Sequence, residues 1–430
     1  MAATHLNALP PSLLLPDAGK GDTLAPPMQP LTEPIDQSAL DAFVGFVGVG
    51  PWRDRLQALR GVASAQTRSG RQALQRHCIE FAVDRLRRTT PDRPLSMAER
   101  WIATHATAAA TLFDGLTNAG RLRLSASLRS ALVEQGCLVP TFHLLRTAAL
   151  QRSRGFDVSF AGLDDAAPFD LLLHRCGQEA EVVCDTVSAE AGRGVHRGAW
   201  FRLVDAIDPE LQTWLCAHPG RYLLKMTLPQ GLRGPEEEGG DLLANLHTRI
   251  TAMLKQSRRA DGDEAAMLRL DPLMLAAAQA DELGLMPRLR QEFGPEAHLA
   301  VTTAGGGVFV MAARAGQQNE VAVAVRRRMA AVAPARLTGT RPGILAMFIE
   351  DTDRTEWRLL RERLELEGEA RQFMTNPEAR SVVAVTLASR LELFGLPEPD
   401  AAPQGELRFR NPAHPAAKDA ALAPAVLSSV

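Results

Sequence analysis

From Ser38 to Gln135 apolar residues recur three and four positions apart, the period of helices that bury one face. The runs LDAFVGFVG, WRDRLQALRGVASAQ, GRQALQRHCIEFAVDRLRR, SMAERWIATHATAAATLFDGL and SASLRSALVEQG each predict a helix. A proline-bearing break, TTPDRPLSMAER, separates the third from the fourth. Ser96 followed three residues later by Glu99 has the spacing of a capping box. Gly136 closes this series, and LVPTFHLLRTAALQRSRG predicts one more helix from about Pro140 to Gly155.

The period then shortens. FDVSFAG alternates, and FDLLLHR, AEVVCDTVSA and GRYLLKMTLP are short apolar runs rich in β-branched and aromatic residues. Runs 169–175, 180–187 and 221–228 are expected as strands of one sheet. A helix near 198–215, with the stripe Trp200, Leu203, Val204 and Ile207, is expected to pack on it. DLLANLHTRITAMLKQSRR predicts an amphipathic helix, and AHLAVTTAGGGVFVMAARAG a hairpin through Gly305, Gly306 and Gly307. A helix (QNEVAVAVRRRMAAVAP), a strand (RPGILAMFIED), a helix (RTEWRLLRERLELEGEARQFMT) and a final strand (SVVAVTLASRLELFG) follow. The fold class is α/β: an all-helical domain at 38–149, then an α/β domain at 150–395. Residues 1–37 and 396–430 are rich in proline and small residues without sustained periodicity, and are expected to be disordered.

Composition narrows the class without naming an activity. The chain has 430 residues, 46% of them hydrophobic and 23% charged, as in globular proteins with two or three domains. No run approaches the roughly 18 apolar residues of a membrane span, and the first residues lack the basic head of a secretory signal. Five scattered cysteines without CxxC pairs suggest reduced, buried thiols and a cytoplasmic setting, and the expected source is bacterial. Net charge is −2, but 17 Arg face 7 acids between Pro51 and Gly155. Such a block is either a solvated helical face or a polyanion-binding surface. Only four lysines stand against 44 arginines, which draws attention to Lys225 inside an apolar run.

Candidate chemistry gathers between Pro168 and Leu228. Asp170 opens one run in PFD, and the next carries Glu181 and Asp185. Strand alternation places Glu181, Val183 and Asp185 on one face. At these residues the chain resembles the PD-(D/E)XK, or restriction-endonuclease-like, superfamily. There an acid opens one strand, and E-x-K on the next strand runs into a helix. The resemblance implies a mixed sheet with flanking helices and a Mg²⁺-dependent nuclease site. Its metal ligands would be Asp170, Glu181 and Asp185, with Lys225 as the cation. The motif is degenerate, since Val183 stands at the glutamate position and Asp185 at the lysine position. Carboxylates would hold Mg²⁺, the metal would activate water, and an ammonium would stabilise the transition state.

Arg193, His196 and Arg197 in SAEAGRGVHRG, close in sequence, could contact the phosphates of DNA or RNA. His174, Cys176 and Cys184 match no zinc spacing, and TAGGGV lacks the lysine of a phosphate loop. The expectation is a nucleic-acid-associated protein with a degenerate nuclease site. The alternative is a non-catalytic scaffold that keeps the fold for protein partners.

Overall fold

The computed structural model describes residues 36–64, 67–89, 93–133, 136–233, 240–272, 282–294 and 296–429. Eleven strands are seen among them: β1 Asp157–Ser159, β2 Leu171–Arg175, β3 Gln178–Ser188, β4 Arg221–Leu228, β5 Ala260–Gly262, β6 Met267–Pro272, β7 His298–Ala304, β8 Gly307–Ala315, β9 Gly343–Glu350, β10 Val382–Ser389 and β11 Leu407–Arg410. They form two sheets, ordered β1-β2-β3-β9-β10-β11 and β5-β6-β4-β8-β7. The chain packs into two units. One takes residues 1–61, 74–189 and 322–430, and the other takes 62–73 and 190–321. No helix among the described residues is long and apolar enough to cross a membrane.

The first unit holds the six-stranded sheet. β1, β2 and β3 are antiparallel neighbours, β9 runs parallel to β3, β10 parallel to β9, and β11 antiparallel to β10. The parallel pairs need crossover connections. Helix Val321–Arg336 leads into β9, and helices Arg354–Glu362 and Glu365–Met374 lead from β9 to β10. The central strands are largely apolar, as suits strands buried on both faces: every residue of β9 but Glu350, and every residue of β10, is buried.

The helical region is a layer of this unit and not a domain of its own. Leu40, Phe43, Ile79, Val83, Ile102, Leu128 and Phe142 from its helices share one core with Leu171, Val182, Ile344, Phe348 and Ala384 from the sheet. Two expected helices are each divided. GRQALQRHCIEFAVDRLRR breaks at His77 into Arg68–Arg76 and Cys78–Arg88, and RTEWRLLRERLELEGEARQFMT breaks at Leu364, whose φ is +58°. The capping box forms: Ser96 Oγ accepts from Glu99 N–H, and Glu99 accepts from Ser96 N–H.

The C-terminal segment is ordered. β11 adds to the sheet edge after β10, so β10 is not the final strand. Arg408 fastens the following residues by donating to the carbonyls of Leu427 and Pro424. Leu407, Phe409, Leu422, Ala425 and Val426 are buried. Proline and alanine here surround enough apolar side chains to offset the cost of ordering. The expected N-terminal disorder lies outside the described residues except at its end. Asp36 caps the helix Gln37–Val47 by accepting from Ala39 N–H.

The second unit is built on the five-stranded sheet. Its core joins Trp200, Leu203, Val204 and Ile207 of helix Arg197–Ala217, and Leu246 and Ile250 of helix Gly240–Lys255, to Leu224, Met226, Leu268 and Met311 of the strands. The expected helix therefore packs on a sheet, but on this one. Run 221–228 is β4, centred between β6 and β8, and is not the third strand of the β2–β3 sheet. The place beside β3 is filled by β9, about 160 residues later in the chain. The expected hairpin through Gly305 to Gly307 is β7–β8.

Candidate functional site

The sequence placed Asp170 at the opening of one strand and Glu181 and Asp185 on the next, and the two strands pair as the hairpin β2–β3. Asp170 immediately precedes β2, and its N–H donates to Val182 O at 3.0 Å. Its carboxylate extends the ladder by accepting from Cys184 N–H on β3 at 2.7 Å. Its other oxygen accepts from Arg336 at 2.8 Å. Burial raises the Asp170 pKa above the usual value, opposed by the Arg336 charge.

Asp185 is held by both oxygens. Arg328 Nε donates to Oδ2 at 2.5 Å, and an Arg328 terminal nitrogen donates to Oδ1 at 2.9 Å. This fork is the strong, geometrically specific mode of carboxylate recognition, and it raises the Arg328 pKa further. Glu181 is fully buried. Thr338 N–H donates to one of its oxygens at 2.9 Å, and the Thr338 hydroxyl donates to the other. Val183 lies between these acids and is fully buried, an apolar filler with no ligand atom.

One segment, 328–338, therefore answers all three acids. Sequence reasoning missed it. The signal was present as Arg328 and Arg336, eight residues apart and so near one helix face.

This donor set does not fit Mg²⁺. The ion needs two or three carboxylates turned toward one point, and here Asp170 and Asp185 are each paired with a guanidinium while Glu181 is buried against Thr338. Among the described residues no three His, Cys, Asp or Glu side chains group so as to hold a metal ion. Lys225 is on β4 of the other sheet, with its Nζ 3.8 Å from Asp271. It is not a member of the β2–β3 hairpin, because the strand that carries it pairs elsewhere.

The loop expected to meet phosphates is an internal fastening. Arg193 is buried and pairs with Glu190. Glu190 also accepts from Arg197 N–H at 2.8 Å, at the first turn of helix Arg197–Ala217. A carboxylate at that position suits the positive end of the helix dipole. His196 N–H donates to Leu232 O at 2.8 Å.

The arginine-rich block is also largely engaged. Arg60 and Arg88 pair with Asp84, Arg85 and Arg93 with Glu99, Arg87 with Asp41 and Arg154 with Glu406. Arg121, Arg123 and Arg129 donate to backbone carbonyls.

A polar cluster that the sequence did not suggest lies at the carboxyl ends of β3 and β9. Ser188 donates to Asp351 at 2.6 Å, and the Cys137 thiol donates to Glu350 at 3.6 Å. Burial raises Glu350, and burial with the Glu350 charge raises Cys137. A thiol kept protonated is a poor nucleophile, so this cluster is not a thiolate centre. Of the five cysteines, Cys176 and Cys216 are exposed, against the expectation of buried thiols.

Comparison with family models, curated proteins and solved structures yields no match.

Proposed function

We propose that this chain is a non-catalytic binding protein built on a restriction-endonuclease-like core, with two guanidinium groups where such a core would hold a metal ion. The order of the first sheet supports that core. Asp170 opens β2, β3 returns as its hairpin partner, and helix Val321–Arg336 leads into β9, parallel to β3. The long segment of the second unit, 190–321, enters the chain between β3 and that helix.

The observation that carries the reading is the Arg328 fork on Asp185. Aspartate at the motif's lysine position would place a third negative charge in a carboxylate site. Arg328 neutralises it, Arg336 neutralises Asp170, and Arg341 lies 3.6 Å from Glu181, so the three carboxylates face three guanidiniums without a divalent ion.

Titration calorimetry with Mg²⁺ and Mn²⁺, beside cleavage assays on DNA and RNA, tests the proposal. The expected result is no saturable heat and no cleavage, in the wild-type chain and in Asp185→Ala alike. Metal-dependent cleavage that disappears in Asp185→Ala would establish the nuclease instead.

A further inference from the structure

Lys225 stands in a surface of its own. The second sheet has two unlike faces. Tyr222, Leu224, Met226 and Leu228 turn toward the core under helices Arg197–Ala217 and Gly240–Lys255. Leu223, Lys225 and Thr227 turn the other way, in line with Asp271, Arg269 and Met267 on β6 and with Val310, Ala312 and Arg314 on β8. Helix Glu282–Phe293 covers part of this face, with Leu285 and Leu289 packed on Leu223, Leu299, Val310 and Ala312. The rest is open among the described residues. Met267 is 55% exposed, the side chains of Arg269 and Lys225 are 72% and 46% exposed, and Arg314 is exposed.

We infer that this open face binds the phosphate backbone of a single-stranded nucleic acid, a partner the reading above does not name. The charge arrangement supports it. Lys225 and Arg269 are directly opposite on paired strands, where like charges disfavour the sheet. One acid serves both: Asp271 lies 3.0 Å from Arg269 and 3.8 Å from Lys225. Arg314 has no acidic partner among the described residues. Lys225, Arg269 and Arg314 against Asp271 sum to a charge of +2, which an anionic ligand would complete.

Shape narrows the partner. Arg269, Lys225 and Arg314 stand on three adjacent strands, β6, β4 and β8, so they span about 10 Å of a flat surface. A flexible strand can lay successive phosphates across that width. Thr227, in line with Met267 and Arg314, adds a hydroxyl donor. Among the described residues of β4, β6 and β8, the side chains on this face include no aromatic platform for bases. Binding is therefore to the backbone, without sequence preference and sensitive to salt.

The test uses the full chain and fluorescence anisotropy with labelled single-stranded DNA and RNA oligonucleotides at several salt concentrations. Lys225→Ala/Arg269→Ala/Arg314→Ala is compared with Arg53→Ala/Arg358→Ala/Arg371→Ala, which removes equal charge from exposed sites elsewhere. Circular dichroism verifies that both variants are folded. The face variant is expected to bind at least tenfold more weakly than the control at low salt. Its slope of log affinity against log salt should be shallower by about 2, for three lost phosphate contacts. Three results would overturn the inference: no oligonucleotide binding by the wild-type chain, equal binding by the two variants, or a poly-glutamate peptide competing as well as the oligonucleotide. The last would make the partner an acidic protein segment.

Discussion

Glu181 shows how little residue type alone says about role. Read from the sequence it is a metal ligand, but in the fold it is a buried acceptor that ties Thr338 to β3. Removing it would strand the Thr338 N–H, so Glu181→Ala is expected to destabilise the chain by about 1–3 kcal/mol. Denaturant unfolding measures this, and Glu181→Gln should recover part of the loss. Asp185 and Arg328 lend themselves to a double-mutant cycle. The aspartate side chain is 12% exposed and the guanidinium 48%, so solvent weakens the pair relative to a buried one. The expected coupling is about 1 kcal/mol, and a cycle that closes to zero would leave the fork without energetic weight. The placement of Asp170, Glu181 and Asp185 on neighbouring strands was legible, because strand period and an intervening turn are local. Their occupation by Arg328, Arg336 and Thr338 was not legible as a pairing, since those residues are about 150 positions away and only the tertiary fold brings them in.

At the scale of elements, periodicity named most helices and strands and failed where breaks are single residues, at His77 and at Leu364. It also missed the small hairpin β5–β6, whose β5 has only three residues. Helix Val139–Ser153 is instructive because it is buried around most of its circumference, polar residues included. His143 Nε2–H donates to Ala346 O at 2.9 Å, and on helix Met97–Gly115 His105 Nδ1–H donates to Trp101 O at 2.7 Å. The second nitrogen of each ring is buried without a partner, so both rings fit as neutral tautomers. Burial lowers each pKa to about 4. A base whose folded value lies below its unfolded value takes up its proton more readily in the unfolded chain. Its stability is thus complete above the unfolded value near 6.5 and is lost as pH falls from there toward 4. From pH 7.5 to pH 5 the expected loss is about 2 kcal/mol per histidine, seen as a falling Tm in calorimetry. His105→Gln/His143→Gln should flatten that dependence.

At the scale of the whole molecule, the sequence suggested domains that follow one another, and the chain instead interleaves two units. The reason is physical: a strand's partner is chosen by sheet packing and not by proximity in sequence, so β3 pairs with β9 while β4 founds a second sheet. The two ends of the second unit's long segment, 190–321, are close together. Glu320 N–H donates to Gly192 O, and a Cβ on Gly192 would lie 2.5 Å from the Cα of Val321. Chain ends that meet in this way mark an insertion that can be removed without moving what flanks it. Replacing residues 193–319 with a short Gly-Ser linker should therefore leave the six-stranded sheet and its helices intact, since their core draws on neither sheet residue nor helix of the second unit. The excised chain should unfold in one cooperative transition and keep the Arg328–Asp185 coupling at its full-length value. Segment 62–73 would lose its partners, because Arg68 N–H and Ser69 N–H both donate to Asp205, and proteolysis should cut there in the excised chain and not in the full one. A shortened chain that shows no cooperative unfolding would mean that the first unit depends on the second for its stability, and the division into two independently stable bodies would have to be abandoned.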